Sequence, residues 1–395
     1  MKRRAAAESA LLLVAMAACA DLKSAPDSTP ADGGGGGGSS SSSTSSSGNP
    51  TLNDAGVDPD TGLLPPTPGA GLHPSNPCRP TPSACLDATS SSVFEVPTEG
   101  TLIQALTLAH PGDVIQLRSG VHDSFTLPKN ISLVGCEAAA ISGQLSLAGG
   151  VQGVADIGVS GSINIGATGS YALARVRYFS TFTTNQNDAA LLISTLGASP
   201  GVEIDVSVDD SSFLGRKLGI NAVATDLAGP NGVKLTVRNG VFSRTTSPIQ
   251  MKRFGSPLLR GSITSSTFYD FGTAISLTDL STANVVCEVN ACFFAKGDTA
   301  INGAAGTDNA NFRWHYSFAW NVALPLASPA SEAPTLSTDV DPAFVDPDKD
   351  DLRLGSTSLA VNRIPSVLVL PSKDFQGCPR PISLGGDPGA FESQP

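Results

Sequence analysis

The chain is predicted to be all-β, a right-handed parallel β-helix, on three observations: an apolar repeat with a period of 26 to 29 residues, short strand-like segments separated by Gly, Asp and Asn, and only one convincing helix. The repeat emerges on aligning Phe213, Phe242, Phe268 and Phe294. Seven residues after each stands Ile220, Ile249, Ile275 or Ile301; five before stands Val208, Val237, Ile263 or Val289. Two before stands Ser211, Gly240, Ser266 or Cys292. One copy built of short strands cannot bury its apolar side alone. The copies therefore stack, and equivalent positions form ladders inside a solenoid. Eight or nine rungs are expected between Val114 and about Ala323, at roughly 4.8 Å per rung.

The elements follow in order. Residues 1–18 combine a basic start (Lys2, Arg3, Arg4) with a short apolar core around Leu11 to Val14, the pattern of an export signal. The stretch Met16-Ala17-Ala18-Cys19 resembles the lipobox of bacterial lipoproteins, which implies acylation at Cys19 and, with Ala20 following, an outer-membrane or cell-surface address. The alternative is ordinary cleavage and a secreted protein. Residues 19–76 carry six glycines (Gly33 to Gly38) and a Ser/Thr run, the composition of a flexible tether. The folded part is expected over 77–330, with a tail at 331–395 packing on it.

At Thr101 to Ala109 the apolar residues Leu102, Ile103, Ala105, Leu106 and Ala109 have helical spacing, and His110-Pro111-Gly112-Asp113 stops the run. This helix is expected to cap the open N-terminal end of the sheets. Strands are expected at Val114–Leu117, at 125–127 and at 131–133. With Cys19 assigned to lipid, six cysteines remain (Cys78, Cys85, Cys136, Cys287, Cys292, Cys378), an even number that suggests disulfides in an oxidising compartment. Cys287 and Cys292 fall on apolar or small template positions, so core packing or a local bridge is expected there.

Leu106, Ala109, Pro111-Gly112-Asp113, Ile115-x-Leu117, Gly120 and Leu133-Val134-Gly135 resemble the N-terminal cap and first coil of pectate-lyase-like β-helix proteins. His122 stands where that family often has Tyr, which makes it structural. The C-terminal run Asp341-Pro342-x-Phe344, Leu352-Arg353-Leu354, Ser358-x-Ala360-Val361-Asn362, Asp374-x-x-Gly377-x-Pro379-Arg380-Pro381 and Asp387-x-Gly389-Ala390-x-Glu392 resembles bacterial surface proteins of the choice-of-anchor Q type. Leu359 and Asn362 depart from that pattern, where Pro and Asp are usual. The family has no single chemistry, so the resemblance implies a fold and a surface location, not a reaction.

A net charge of -11 argues against nucleic acid as a partner. A lyase needs clustered carboxylates for Ca2+ and a Lys or Arg base on one face, and a hydrolase needs two carboxylates at a set separation. The catalytic candidates are Asp209 and Asp210, beside Arg216 and Lys217; adjacent strand residues face opposite ways, so only a turn lets both acids act. The acidic runs Asp346, Asp348, Asp350, Asp351 and Asp54, Asp58, Asp60 lack the Gly and Glu of an EF-hand loop, and hydrated turns account for them without Ca2+. No cofactor is expected. Trp314, His315, Tyr316 and Trp320 form either a sugar-stacking platform or the aromatic closure of the last rung. The expectation is a surface lipoprotein with a structural, adhesive or glycan-binding role, held in the bilayer by its acyl chain, with a Ca2+-dependent polysaccharide lyase or a glycoside hydrolase as the alternative.

Overall fold

The computed structural model describes residues 93–96, 101–136, 138–179, 189–196, 201–225, 231–255, 257–279, 285–303, 312–327, 336–337, 340–380 and 385–393. The export signal, Cys19, the tether and the acidic run at Asp54 to Asp60 lie outside these residues. Among them the architecture is a parallel β-helix. Ten strands form one sheet, running from Val93–Val96 and Val114–Leu117 to Phe312–His315, and sixteen form a second. All pairings within both sheets are parallel; in the C-terminal segment two small two-stranded pairs and the isolated bridge of Lys373 with Pro379 are antiparallel. Nine strands of the first sheet follow the opening strand at Val93, in agreement with the expected number of rungs.

The ladders run through the register as the repeat requires. Phe213, Phe242, Phe268 and Phe294 are direct cross-strand partners, and so are Ile220, Ile249, Ile275 and Ile301. Val208, Val237, Ile263 and Val289 pair in the first sheet. The phenylalanines stack face to face with Tyr178 added at the front, ring centroids 4.5 to 4.9 Å apart. Rung spacing and ring spacing coincide, so each ring covers the next and no water reaches the stack.

Two corners per coil turn the chain. The first lies three residues before the ladder aromatic, where Arg175, Asp210, Asn239, Ser265 and Ala291 all adopt positive φ; the second lies two residues after it, at Gly215, Arg244, Asp270 and Lys296. One left-handed residue at a corner swings the strand through a sharp bend without interrupting pairing on either side.

Helix α1 (Leu102–Leu108) is capped by Thr101, whose side chain accepts from the Gln104 amide while Gln104 returns the bond to the Thr101 amide. Ala105 is buried in the core, with Leu102, Leu106 and Ala109 packed against it. Ile103 is 76% exposed, a correction to the expected apolar face: at seven residues, the helix presents only one narrow stripe inward.

The C-terminal segment builds a second core on the outside of the coils. Outward residues Val241, Tyr269, Phe293 and Phe318 of the last rungs are covered by Leu352, Leu354, Ala360, Ile364, Phe375, Ala390 and Phe391. Gly389 donates its amide to Ala291 O and Ala390 to Thr267 Oγ1. Gly389 sits at φ +90, and a Cβ there would meet Thr267 Oγ1 at 2.5 Å, so only glycine allows this approach.

Cys287 and Cys292, expected in core packing or a local bridge, are buried thiols outside any disulfide, while Cys136 is disulfide-bonded. Burial pushes the Cys287 and Cys292 thiols up to about 12, so both stay protonated and act as small core residues.

Candidate functional site

Side chains alternate along each strand of the first sheet, and the outward ones line up across the rungs because the pairing has no shifts there. The central outward row reads Gly153, Ala172, Ser207, Thr236, Ser262 and then Glu288. On one side of it stand Val151, Ser170, Asp205, Lys234 and Arg260; on the other Ala155, Ala174, Asp209, Arg238 and Thr264. At Ser207 and Thr236 the small central residue lies between longer ones, Asp205 and Asp209 or Lys234 and Arg238, which makes a trough along the helix axis. It holds a cavity of about 360 Å³ bordered by Val151, Ser170, Ala172, Ser207, Thr236 and the charged pairs.

Those charges are matched between neighbouring rungs. Lys234 Nζ lies 2.8 Å from Asp205, and Arg238 grips Asp209 through both Nε and Nη2. Arg175 holds Asp156 in the same two-pronged way, and Arg313 faces Glu288 at 3.6 Å. Arg260, exposed and in register with Lys234, adds a further cation to its row. Val151 is 72% exposed and gives the trough an apolar patch.

The catalytic candidates are placed separately. Asp209 ends the strand Glu203–Asp209 and is taken by Arg238; Asp210 occupies the corner at φ 49 and accepts from Asn239 Nδ2 at 2.8 Å. Burial pushes its carboxyl up to about 6. The Arg216 guanidinium is buried and donates to the carbonyls of Ser160 and Gly161, so it ties two coils together. Lys217 is exposed on the connection between two strands of the second sheet. The turn at Asp210 engages the two acids in different bonds, Asp209 with Arg238 and Asp210 with Asn239.

Trp314 is 3% exposed and joins the interior core, while Tyr316 and Trp320 pack against the second core and His315 alone is fully outward. These four residues share no stacking face. His122 sets Nε2 3.3 Å from Arg118 O, a structural placement. Three acids of the run stand in ion pairs, Asp346 with Lys349, Asp351 with Arg353 and Asp350 with Arg244, and Asp350 also accepts from Ser243 Oγ. Among the described residues no three His, Cys, Asp or Glu side chains are grouped to hold a metal ion.

Sequence reasoning missed the trough, since its row of small and hydroxyl residues is visible only once the rungs are in register. It had found the C-terminal signature, whose residues turn out to be one buried network. Asp374 Oδ1 accepts from the Gln376 and Cys378 amides and Oδ2 from Glu392 N; Asp387 accepts from Asn362 N and Ser393 N. Arg380 spans them, donating to Asp387 O and Gly389 O.

No family model and no curated protein matches the chain. Among solved structures, the chain is similar to the crystal structure of pectate lyase Pel9A, at 10% sequence identity and a TM-score of 0.41, over 75% of this chain and 91% of that one.

Proposed function

We propose that the chain is a surface-displayed, non-catalytic β-helix that binds polysaccharide along the trough of its first sheet. The observation that carries this reading is the unbroken outward row Gly153, Ala172, Ser207, Thr236, Ser262, with cations beside it. Each rung advances the row by about 4.8 Å, close to the length of one pyranose unit, so hydroxyls recur in step with an extended glycan. Lys234 and Arg260 outnumber Asp205 in their row, which suits a glycan bearing carboxylates. Asp209, Asp210 and Arg216, three of the four residues singled out for chemistry, are engaged in structural bonds, which supports binding without turnover.

The test is a panel of neutral and acidic polysaccharides incubated with the purified chain and Ca2+, with binding and ultraviolet-absorbing unsaturated products followed together. Binding without new absorbance is expected, weakened about tenfold or more in the Lys234→Ala, Arg260→Ala double variant. New absorbance would instead establish a lyase, and unchanged affinity in the double variant would move the site elsewhere.

A further inference from the structure

The joint between coils and C-terminal segment holds an arrangement that the polysaccharide reading does not use. Asn239 occupies a corner of the β-helix, and its Nδ2 donates twice: to Asp210 Oδ1 at 2.8 Å on the neighbouring rung and to Lys373 O at 2.8 Å on the C-terminal segment. Its Oδ1 is buried and has no hydrogen-bond partner. A buried amide oxygen left unpaired is costly, and a partner for it is expected. The carboxyl of Asp210 is the group already bonded to the other end of the same amide.

The cations that face Asp210 are each bonded to another group, and the charge of Arg175 only partly offsets the cost of burying its ionised form. Asp209 precedes it on its own strand, Arg175 and Arg238 stand on the rungs either side, and Asp374 and Arg380 face it from the C-terminal segment. Arg175 is held by Asp156, Arg238 by Asp209, and Arg380 by the carbonyls of Asp387 and Gly389. Asp374, fully buried, adds a like charge. A neutral carboxyl meets none of these costs. It also has the O–H that the Asn239 oxygen lacks a donor for.

We propose that Asp210 and Asn239 form a protonated acid–amide pair, two hydrogen bonds closing one ring, which clamps the C-terminal segment on the β-helix through Lys373 and releases that clamp as the proton leaves. One amide N–H goes to the Asp210 carbonyl, the other to Lys373 O, and the acid O–H to Asn239 Oδ1. Loss of the proton breaks the last bond and leaves a carboxylate beside Asp209 and Asp374. The folded chain holds this proton more tightly than an ordinary aspartate at 3.8, so the contribution to docking is complete below that value and is lost as pH rises through about 6.

Amide hydrogen exchange of the full chain tests this, read on the peptides that cover 372–393 and corrected for intrinsic rates. In the wild type, protection there should fall several-fold between about pH 5 and about pH 7.5. Asp210→Asn supplies a permanent N–H to Asn239 Oδ1 and suits the left-handed corner, so its segment should be protected alike at both pH values. Asp210→Ala should be poorly protected at both. The same pH dependence in wild type and Asp210→Asn, or Asp210→Ala matching the wild type at the lower pH, would overturn the proposal. Carbon-13 titration of the wild-type aspartates gives a check free of variants: a carboxyl with its midpoint near 6 that vanishes in Asp210→Asn supports the clamp, and an ordinary midpoint for that carboxyl rejects it.

Discussion

At the first corner of successive coils, Ser211, Ser266, Cys292 and Ser317 do one job. Each serine oxygen accepts an amide from the preceding coil, from Val176, Gly240 and Cys292 respectively, and donates to the carbonyl two residues before it. Cys292 does the same with a thiol, donating to Asn290 O and Ile263 O. That explains why a cysteine stands at a serine position without a redox role. The corner residue just before is strained where it is neither Asn, Asp nor Gly. Ser265, at φ 49, also buries a hydroxyl that has no hydrogen bond. Ser265→Gly removes both the Cβ clash and the orphan hydroxyl, and should stabilise the fold by about 1 kcal/mol in urea unfolding. A destabilised variant would show that the hydroxyl is needed.

At the scale of elements, the aromatic stack joins successive coils beside the Ile and Val ladders. Phe242 lies between Phe213 and Phe268 at 4.7 and 4.9 Å and is fully buried. Phe242→Ala opens a hole that two flanking rings, fixed by their own strands, cannot collapse into. A loss of about 3 to 5 kcal/mol is expected in equilibrium unfolding; a loss below about 0.5 kcal/mol would be that of a surface site. The C-terminal segment is the other unit at this scale. Its acids and Arg380 are bonded to the main chain around them. They satisfy the backbone of a segment with few strands, since amides not paired in a sheet must be paired by side chains.

For the molecule as a whole, a parallel solenoid grows by stacking identical backbone geometry, so one end can be remote from the other while every rung sees the same environment. The first sheet begins beside α1 and ends at the aromatic strand Phe312–His315, with Trp314 inside. The proposed surface display requires an anchor, which acylation at Cys19 would supply. Labelling cells with a clickable fatty acid should mark the wild type and not Cys19→Ala; equal labelling of both would mean that the lipid is absent. Among the described residues no helix is long and apolar enough to cross a membrane.

The sequence by itself determined the coil and its ladders. Phe, Ile and Val recur at fixed offsets, and a periodic pattern specifies register directly, because each rung is the template for the next. It also marked the C-terminal signature, though not that Asp374, Asp387 and Glu392 surround one buried arginine. Only the tertiary structure decided what lies between coils and across the joint. Asp156 meets Arg175, Arg238 meets Asp209 and Asn239 meets Lys373 at separations of 19, 29 and 134 residues. These separations obey no common period, because connecting loops of unequal length set them. Outward side chains are free of the packing that fixes the interior, so their partners follow from where the finished coils place them.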